Sequence, residues 1–319
     1  MEQVVQDSTN LALPGAVFLA VMAALTFALP RRLAILPLLA TVCYMPLGQQ
    51  MVIAGLHFSI LRLLILVGVV RVVCRGEARG LSLNRIDKVV LWWAVLSVIL
   101  GFLSEPSSKI LINRLGIFYN AVGIFLLLSC WIRDSDTFVA SVKFLALMII
   151  LVAVLMIVEK TTSRNIFAVF GGVPEITIER EGHLRCQAAF RHPILAGTFG
   201  ATSLPLFIFL WFQGRREKML AVLGSLSACL IAIAASSGGA LLTMLLGVMA
   251  FGFWRFRYRM RSVRRRILLL ILALAIIMQA PVWYLFARMS SVVGGGGWYR
   301  AFLIDTTAAH ISDSSSTRR

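Results

Sequence analysis

Long apolar runs, separated by short polar connections, make up most of this chain. A helix needs about twenty apolar residues to cross the roughly 30 Å hydrocarbon core of a bilayer. Runs near this length lie at residues 11–29, 33–47, 56–74, 89–103, 115–132, 138–158, 193–212, 219–235, 240–254 and 267–286. The pattern therefore predicts an all-α fold, a polytopic transmembrane helix bundle of about ten spans within residues 1–288.

Two polar stretches interrupt this pattern. Residues 159–191 form the longest connection that is neither apolar nor rich in glycine, and loops of this length in compact proteins are usually functional. Residues 289–319 are rich in Gly and Ser and are predicted to be an extracytoplasmic tail, the start of a larger periplasmic loop. The 159–191 connection is therefore the first candidate for chemistry.

The composition excludes an ordinary soluble protein. Hydrophobic residues make up 59% of the chain and charged residues 14%, whereas soluble domains have about 45–50% and 25%. A soluble fold cannot bury that much apolar surface, but lipid surrounds an apolar helix on all sides. We therefore expect a multi-pass protein of the bacterial inner (cytoplasmic) membrane.

The net charge of +17 raises the question of nucleic acid. Most of the basic residues lie between apolar runs, on the side that the positive-inside rule assigns to the cytoplasm. The densest group comprises Arg255, Arg257, Arg259, Arg261, Arg264, Arg265 and Arg266. Because this group is short and tethered at the membrane, we expect membrane lipids, and no nucleic acid, as its partners. The same charge bias places the 159–191 connection outside.

Three arginines gather in the second half of that outward connection. Arg180, Arg185 and Arg191 lie beside His183 and His192, just before the seventh apolar run. One interpretation is contact with lipid headgroups. The other is a diphosphate site, because a guanidinium offers a fixed fork of donors that matches phosphate oxygens in pairs.

Other residues leave two interpretations open. Arg62, near the outer end of the third run, either reaches the interface or has a function. The Ser236–Ser237–Gly238–Gly239 stretch is a tight outward turn or an anion cradle. Small residues at the start of the seventh run favour close helix packing; these are Ala196, Gly197, Gly200 and Ala201. The scattered cysteines form no C-x-x-C pair, so neither a zinc knuckle nor a redox motif is indicated. No metal or cofactor is expected.

The residues around the arginine group resemble a known family. The stretch Phe190-Arg-His-Pro-Ile-Leu-Ala-Gly-Thr-Phe199, preceded by Arg185, is similar to the signature of the O-antigen ligase and O-antigen polymerase superfamily. Residues 114–123, 236–240 and 298–304 also lie where such proteins carry similar segments.

The resemblance implies a metal-independent glycosyltransferase that works at the outer face. Such an enzyme moves a glycan from a polyprenyl diphosphate carrier to a hydroxyl of an acceptor glycan or lipid. By similarity, Arg185, Arg191 and Arg300 would bind the diphosphate, and Arg180 belongs to the same charge group. Relatives use a histidine as the base that activates the acceptor, and His192 is the candidate for it here.

Relatives continue beyond the segment that matches 298–304, through a histidine motif and further spans. The sequence therefore predicts a truncated or partial member, for which loss of catalytic activity is one consequence. The first alternative is a transporter or flippase for an amphipathic anion, which would use the same arginines without bond chemistry. A membrane scaffold with no substrate is the third interpretation.

Overall fold

A computed structural model describes residues 11–53, 56–81, 84–104, 106–180, 182–278, 283–284 and 297–316. These residues are mostly helical, as the apolar pattern predicts. The helices are α1 (Leu13–Ala28), α2 (Leu36–Tyr44), α3 (Ile60–Cys74), α4 (Arg85–Ser104), α5 (Ser108–Trp131), α6 (Ser135–Thr162), α7 (Pro193–Trp211), α8 (Lys218–Ala234), α9 (Gly238–Phe253), α10 (Met260–Met278) and α11 (Gly297–Ser316). Short 3₁₀ helices lie at Arg31–Leu33, Ile166–Phe170 and Trp254–Arg259.

Two small antiparallel hairpins depart from the all-α prediction. Strands β1 (Gln50–Ile53) and β2 (Leu56–Ser59) form the first, and β3 (Ile178–Arg180) and β4 (His183–Arg185) form the second. The 159–191 connection is thus structured rather than a plain loop. Of the predicted tail, residues 289–296 and 317–319 lie outside the described residues, and the part between them is α11.

The predicted number of ten spans is not supported. Each of the ten apolar runs overlaps one of the helices α1 to α10. Among the described residues, only α4, α5, α6 and α7 are long and apolar enough by themselves to cross a membrane. The helical stretches Gly238–Phe253 and Phe256–Ala273 meet at a bend of 87°. If this bent pair is counted as one span, the number rises to five. The apolar helices α1 and α8 are too short; α1, with 16 residues, rises about 24 Å. Helix α10 has 19 residues, but its first turns carry four arginines. Several apolar helices nevertheless indicate a membrane protein.

The chain divides into two compact units. Unit 1 comprises Met1–Met148, Ile166–Glu175 and Ala189–Arg191, and unit 2 comprises Ile149–Asn165, Ile176–Ala188 and His192–Arg319. In unit 1, α3 packs against α1, α2 and α5, and α5 packs against α4. In unit 2, α7 packs against α8 and α9.

The core of unit 1 lies where α3 crosses α5. Its buried members are Ala34, Ile35, Leu38, Leu64, Ile65, Val72, Leu127, Cys130 and Trp131. Gly68 makes the close approach possible, because a β-carbon there would lie 2.7 Å from Leu127 Cδ1. The apolar pattern alone does not reveal this helix pairing.

A buried ion pair closes one end of unit 1. Arg71 is fully buried, and its Nη2 donates to Glu77 Oε1 at 2.8 Å. Its Nη1 donates to the backbone oxygens of Thr26 and Leu29, and Trp131 Nε1 donates to Glu77 Oε2 at 2.9 Å. Burial raises the pKa of the Glu77 carboxyl, but the hydrogen bonds from Arg71 and Trp131 outweigh it, so the pKa lies below its ordinary value. The network ties the ends of α1, α3 and α5 together.

Small residues let the helices of unit 2 approach closely, as predicted. Ala196, Gly197, Gly200 and Ala201 are all buried in α7. A β-carbon on Gly200 would lie 2.7 Å from the backbone oxygen of Ala228 in α8. Close backbone approach of this kind is how helices associate in lipid, where no hydrophobic force drives them together.

Candidate functional site

The β3–β4 hairpin is the centre of the candidate site, and it is anchored to the end of α6. The carboxylate of Glu159, which is 1% exposed, accepts hydrogen bonds from the backbone N–H groups of Gln187 at 3.1 Å and Ala188 at 2.9 Å. It also accepts one from the Thr177 hydroxyl at 3.3 Å. A buried carboxylate needs such donors to offset its desolvation. Glu159 therefore holds both ends of the hairpin segment.

The hairpin is also fixed to the turn between α8 and α9. The N–H of Cys186 donates to the oxygen of Ala234 at 3.2 Å, and the Ser236 hydroxyl donates to the oxygen of Leu184 at 3.1 Å. Lys160 joins the same point, since its Nζ donates to Leu184 O and to Ser236 Oγ, both at 3.4 Å. Strand β4, and with it Arg185, is therefore held between the end of α6 and the start of α9.

Three residues around the hairpin have backbone conformations that residues other than glycine rarely adopt. Ser163, Ala188 and Ser236 all have positive φ, at 56°, 49° and 46°. In the described residues these are the only residues other than glycine with that conformation. Each sits at a junction: Ser163 follows α6, Ala188 follows the hairpin and Ser236 lies in the α8–α9 turn. Strain of this kind persists only where surrounding contacts fix the backbone, and it concentrates at functional sites.

His192 lies at the N-cap of α7. Its Nδ1 accepts the backbone N–H of Ile194 at 3.2 Å. Burial and the positive charge of Arg185 both lower the pKa of His192 below its ordinary value. The ring is therefore neutral at pH 7, and because Nδ1 accepts, its proton is on Nε2.

The first turns of α7 and α9 lie side by side. A β-carbon on Gly197, one turn into α7, would lie 2.7 Å from the β-carbon of Ala240, in the first turn of α9. Each helix start carries about half a positive charge from its aligned peptide dipoles, which is favourable for a nearby anion. The first N–H groups of α7 are themselves bonded to His192, so this helix contributes through its dipole. Two such starts therefore add to the charge of the neighbouring lysine and arginine.

We call Lys160, Arg185 and the first turns of α7 and α9 the cationic cluster. Lys160 is exposed, and the side chain of Arg185 is half buried. The hydrogen bonds from Lys160 and Ser236 to Leu184 connect its parts. Chemically, the arrangement suits a phosphate or diphosphate group.

Of the predicted site residues, Arg185 is part of this cluster. Arg185 and His192 interact electrostatically. Arg180 is exposed on β3, where it pairs in register with His183. Arg191 is exposed and belongs to unit 1, and the side chain of Arg300 lies outside the described residues.

Lys160 is a site residue that sequence reasoning missed. It directly follows an apolar run, where a polar residue is ordinary at the end of a span. The one signal in the sequence is that two charged residues, Glu159 and Lys160, follow that run directly. The buried role of Glu159 depends on the folding of the hairpin and is not readable from spacing.

Arg62 lies in unit 1, between α3 and α5. Its Nη1 donates to the oxygen of His57 at 2.8 Å and its Nε donates to Asn120 Oδ1 at 3.3 Å. The guanidinium lies across Gly116, where a β-carbon would be 2.4 Å from Nη2. The guanidinium thus donates hydrogen bonds to neutral oxygens between α3 and α5. Arg62 therefore has a structural role in joining the two helices.

The buried thiol of Cys186 lies next to Arg185 in the chain. Burial, with the negative charge of Glu159, raises the pKa of this thiol to about 12. The sulfur therefore stays protonated at neutral pH, and a thiolate nucleophile is not expected at this position.

No family model, no curated protein and no solved structure matches the chain. The resemblance to the O-antigen ligase and polymerase superfamily therefore stays a prediction from the residues quoted above.

Proposed function

We propose that this protein is a polysaccharide-assembly glycosyltransferase of the O-antigen ligase or polymerase type. The cationic cluster binds the diphosphate of a polyprenyl-linked glycan, and the glycan passes to an acceptor glycan or lipid. The observation that supports this most is the arrangement of Lys160 and Arg185 beside the adjoining first turns of α7 and α9.

The main chemical requirement of this transfer is stabilisation of the leaving group. When the sugar leaves, negative charge develops on the bridging oxygen of the polyprenyl diphosphate. Fixed positive charge at that oxygen stabilises the transition state without a metal ion. The lysine, the arginine and two helix N-termini supply such charge from groups whose backbone is already held by the Glu159 and Ser236 hydrogen bonds.

In this proposal His192 positions the start of α7. Its Nδ1 is occupied by the Ile194 N–H, and Nε2 carries the proton at neutral pH. Nε2 can therefore donate to a phosphate oxygen. The prediction that His192 is the catalytic base stays a prediction, and it requires the cap bond to open.

The proposed place of work is the outer face of the bacterial cytoplasmic membrane. The basic loops of the sequence support this orientation through the positive-inside rule. The reaction requires only that the β3–β4 hairpin face outward, and it is compatible with four or five spans as well as with ten.

A transfer assay tests the proposed function. Purified protein is reconstituted in vesicles with a polyprenyl diphosphate carrying a labelled glycan and with an acceptor glycan. We expect label on the acceptor and release of polyprenyl diphosphate. Lys160→Gln and Arg185→Gln should each lower the rate by about 10- to 100-fold, the worth of one charge-assisted hydrogen bond.

The control variant is Arg216→Gln, which removes an exposed cation beyond the other end of α7. Its rate should equal that of the unmodified protein. Movement of the intact lipid-linked glycan across the vesicle, without bond transfer, would instead identify a flippase. If neither bond transfer nor movement of the lipid-linked glycan were detected, the proposal would be contradicted, and the scaffold interpretation would remain.

A further inference from the structure

A second charged surface lies at the junction of α9 and α10. The 3₁₀ helix Trp254–Arg259 joins the two helices, and the stretches on either side are bent by 87°. We call residues 254–266 the basic–aromatic segment. It belongs to none of the elements that carry the cationic cluster's side chains.

Exposed aromatic rings alternate with arginines in this segment. Trp254 is 68% exposed and Tyr258 is 86% exposed. The guanidinium of Arg257 lies over both rings, 5.1 Å and 4.4 Å from their centroids, and its Nη2 donates to the Tyr258 hydroxyl at 3.0 Å. Contact with two rings holds the guanidinium in place, so less side-chain freedom is lost when it binds an anion.

The charge of the segment is of one sign only. Its arginines with described side chains are all exposed: Arg257, Arg259, Arg261, Arg264, Arg265 and Arg266. The sequence contains no Asp or Glu between Glu217 and Asp305. This one-sided charge favours an anionic partner.

The continuation of α10 indicates which anion. Leu268, Leu269 and Leu272 are 65%, 64% and 58% exposed, so an apolar stretch follows the arginines directly along one helix. A helix with a basic start and an apolar continuation matches a bilayer, where headgroup phosphates lie above hydrocarbon. Nucleic acid offers phosphates without the hydrocarbon.

We propose that the basic–aromatic segment is a binding site for anionic phospholipids. The arginines bind headgroup phosphates, with Arg257 held by Trp254 and Tyr258, and the apolar part of α10 packs against the acyl chains. Arg261, Arg264 and Arg265 share one face of α10 at the spacing of a helical turn, so one headgroup region can meet all three.

Lipid titration of the detergent-solubilised full chain, followed by native mass spectrometry, tests this. The probes are phosphatidylglycerol and phosphatidylcholine with identical acyl chains. Phosphatidylglycerol should bind in preference. The double variant Arg257→Gln/Arg259→Gln should weaken the binding of phosphatidylglycerol by about 25-fold at low salt, because each arginine near an anionic headgroup contributes about fivefold to the affinity. The triple variant Arg264→Gln/Arg265→Gln/Arg266→Gln should act in the same direction.

The matched control is Arg215→Gln/Arg216→Gln, which removes the same charge from another exposed loop of unit 2. Its phosphatidylglycerol affinity should stay within about twofold of the unmodified protein. Equal losses in both double variants would overturn the proposal, since net charge alone would then explain binding. Equal binding of the two lipids, or tighter binding of a DNA duplex than of phosphatidylglycerol, would overturn it as well.

Discussion

At the scale of single residues, the environment of His192 defines what its ring can do. The Nδ1 atom is committed to the Ile194 N–H, and Arg185 disfavours a second proton. The sequence presented this histidine as a candidate base. Its capping role could not be foreseen, because the same residue type before a proline also occurs in loops with no helix after it.

The pH dependence of stability tests this role. Because the pKa of His192 is lower in the folded state, the neutral ring contributes stability above its ordinary pKa of 6.5, and this is lost as the pH falls through the folded pKa. We expect His192→Asn, which keeps a cap without a titrating ring, to flatten part of the fall in melting temperature between about pH 7.5 and 5. Identical pH profiles for the two proteins would contradict the assignment.

The buried pair of Arg71 and Glu77 gives a second residue-level prediction. Glu77→Gln leaves the Arg71 charge buried without its counterion, so it should lower the free energy of unfolding by about 3 kcal/mol. Arg32→Gln is the control, because Arg32 is 71% exposed and 3.9 Å from Asp134, and it should cost under about 1 kcal/mol. A thiol-reactive dye reports unfolding through buried cysteines such as Cys43 and Cys130.

At the scale of elements, apolar runs predicted the helices better than their ends. The run at 138–158 became α6, Ser135–Thr162, whereas the run at 33–47 became α2, a helix of only nine residues. Hydropathy records that a segment avoids water but not where its helix stops. Proline at the start of α2 and the β1–β2 hairpin after it set those limits.

The β3–β4 hairpin was missed for a different reason. Each strand has three residues, and Gly182 supplies the positive φ of 75° in its turn. Three residues are too few to establish a period-two pattern. The hairpin depends on the Glu159, Lys160 and Ser236 contacts, which join positions far apart in the chain.

Helix packing in unit 2 makes a prediction at the same scale. Gly200→Ala would place a methyl group 2.7 Å from the oxygen of Ala228. Overpacking of this kind costs about 1–3 kcal/mol, so the melting temperature should fall. Gly252→Ala, in α9, has open space at the same position and should leave stability unchanged or slightly higher. Equal effects would contradict the close contact of α7 with α8.

At the scale of the whole molecule, the account requires a definite sidedness. In a background without Cys74 and Cys229, Arg180→Cys should react with a membrane-impermeant maleimide in intact spheroplasts. Arg266→Cys should react only after permeabilisation, because positive loops face the cytoplasm. Both positions are exposed, so accessibility to solvent does not confound the comparison. The reverse labelling pattern would contradict the outward orientation of the hairpin.

Binding of a diphosphate to the full chain tests the central claim most directly. Calorimetric titration should give tight binding of farnesyl diphosphate and binding of farnesol at least about tenfold weaker. Lys160→Gln and Arg185→Gln should each weaken the binding of farnesyl diphosphate by about tenfold or more. The affinity of Arg216→Gln for it should be unchanged. If farnesol bound as tightly as farnesyl diphosphate, or if neither Lys160→Gln nor Arg185→Gln altered the affinity, the cationic cluster would not be a diphosphate site.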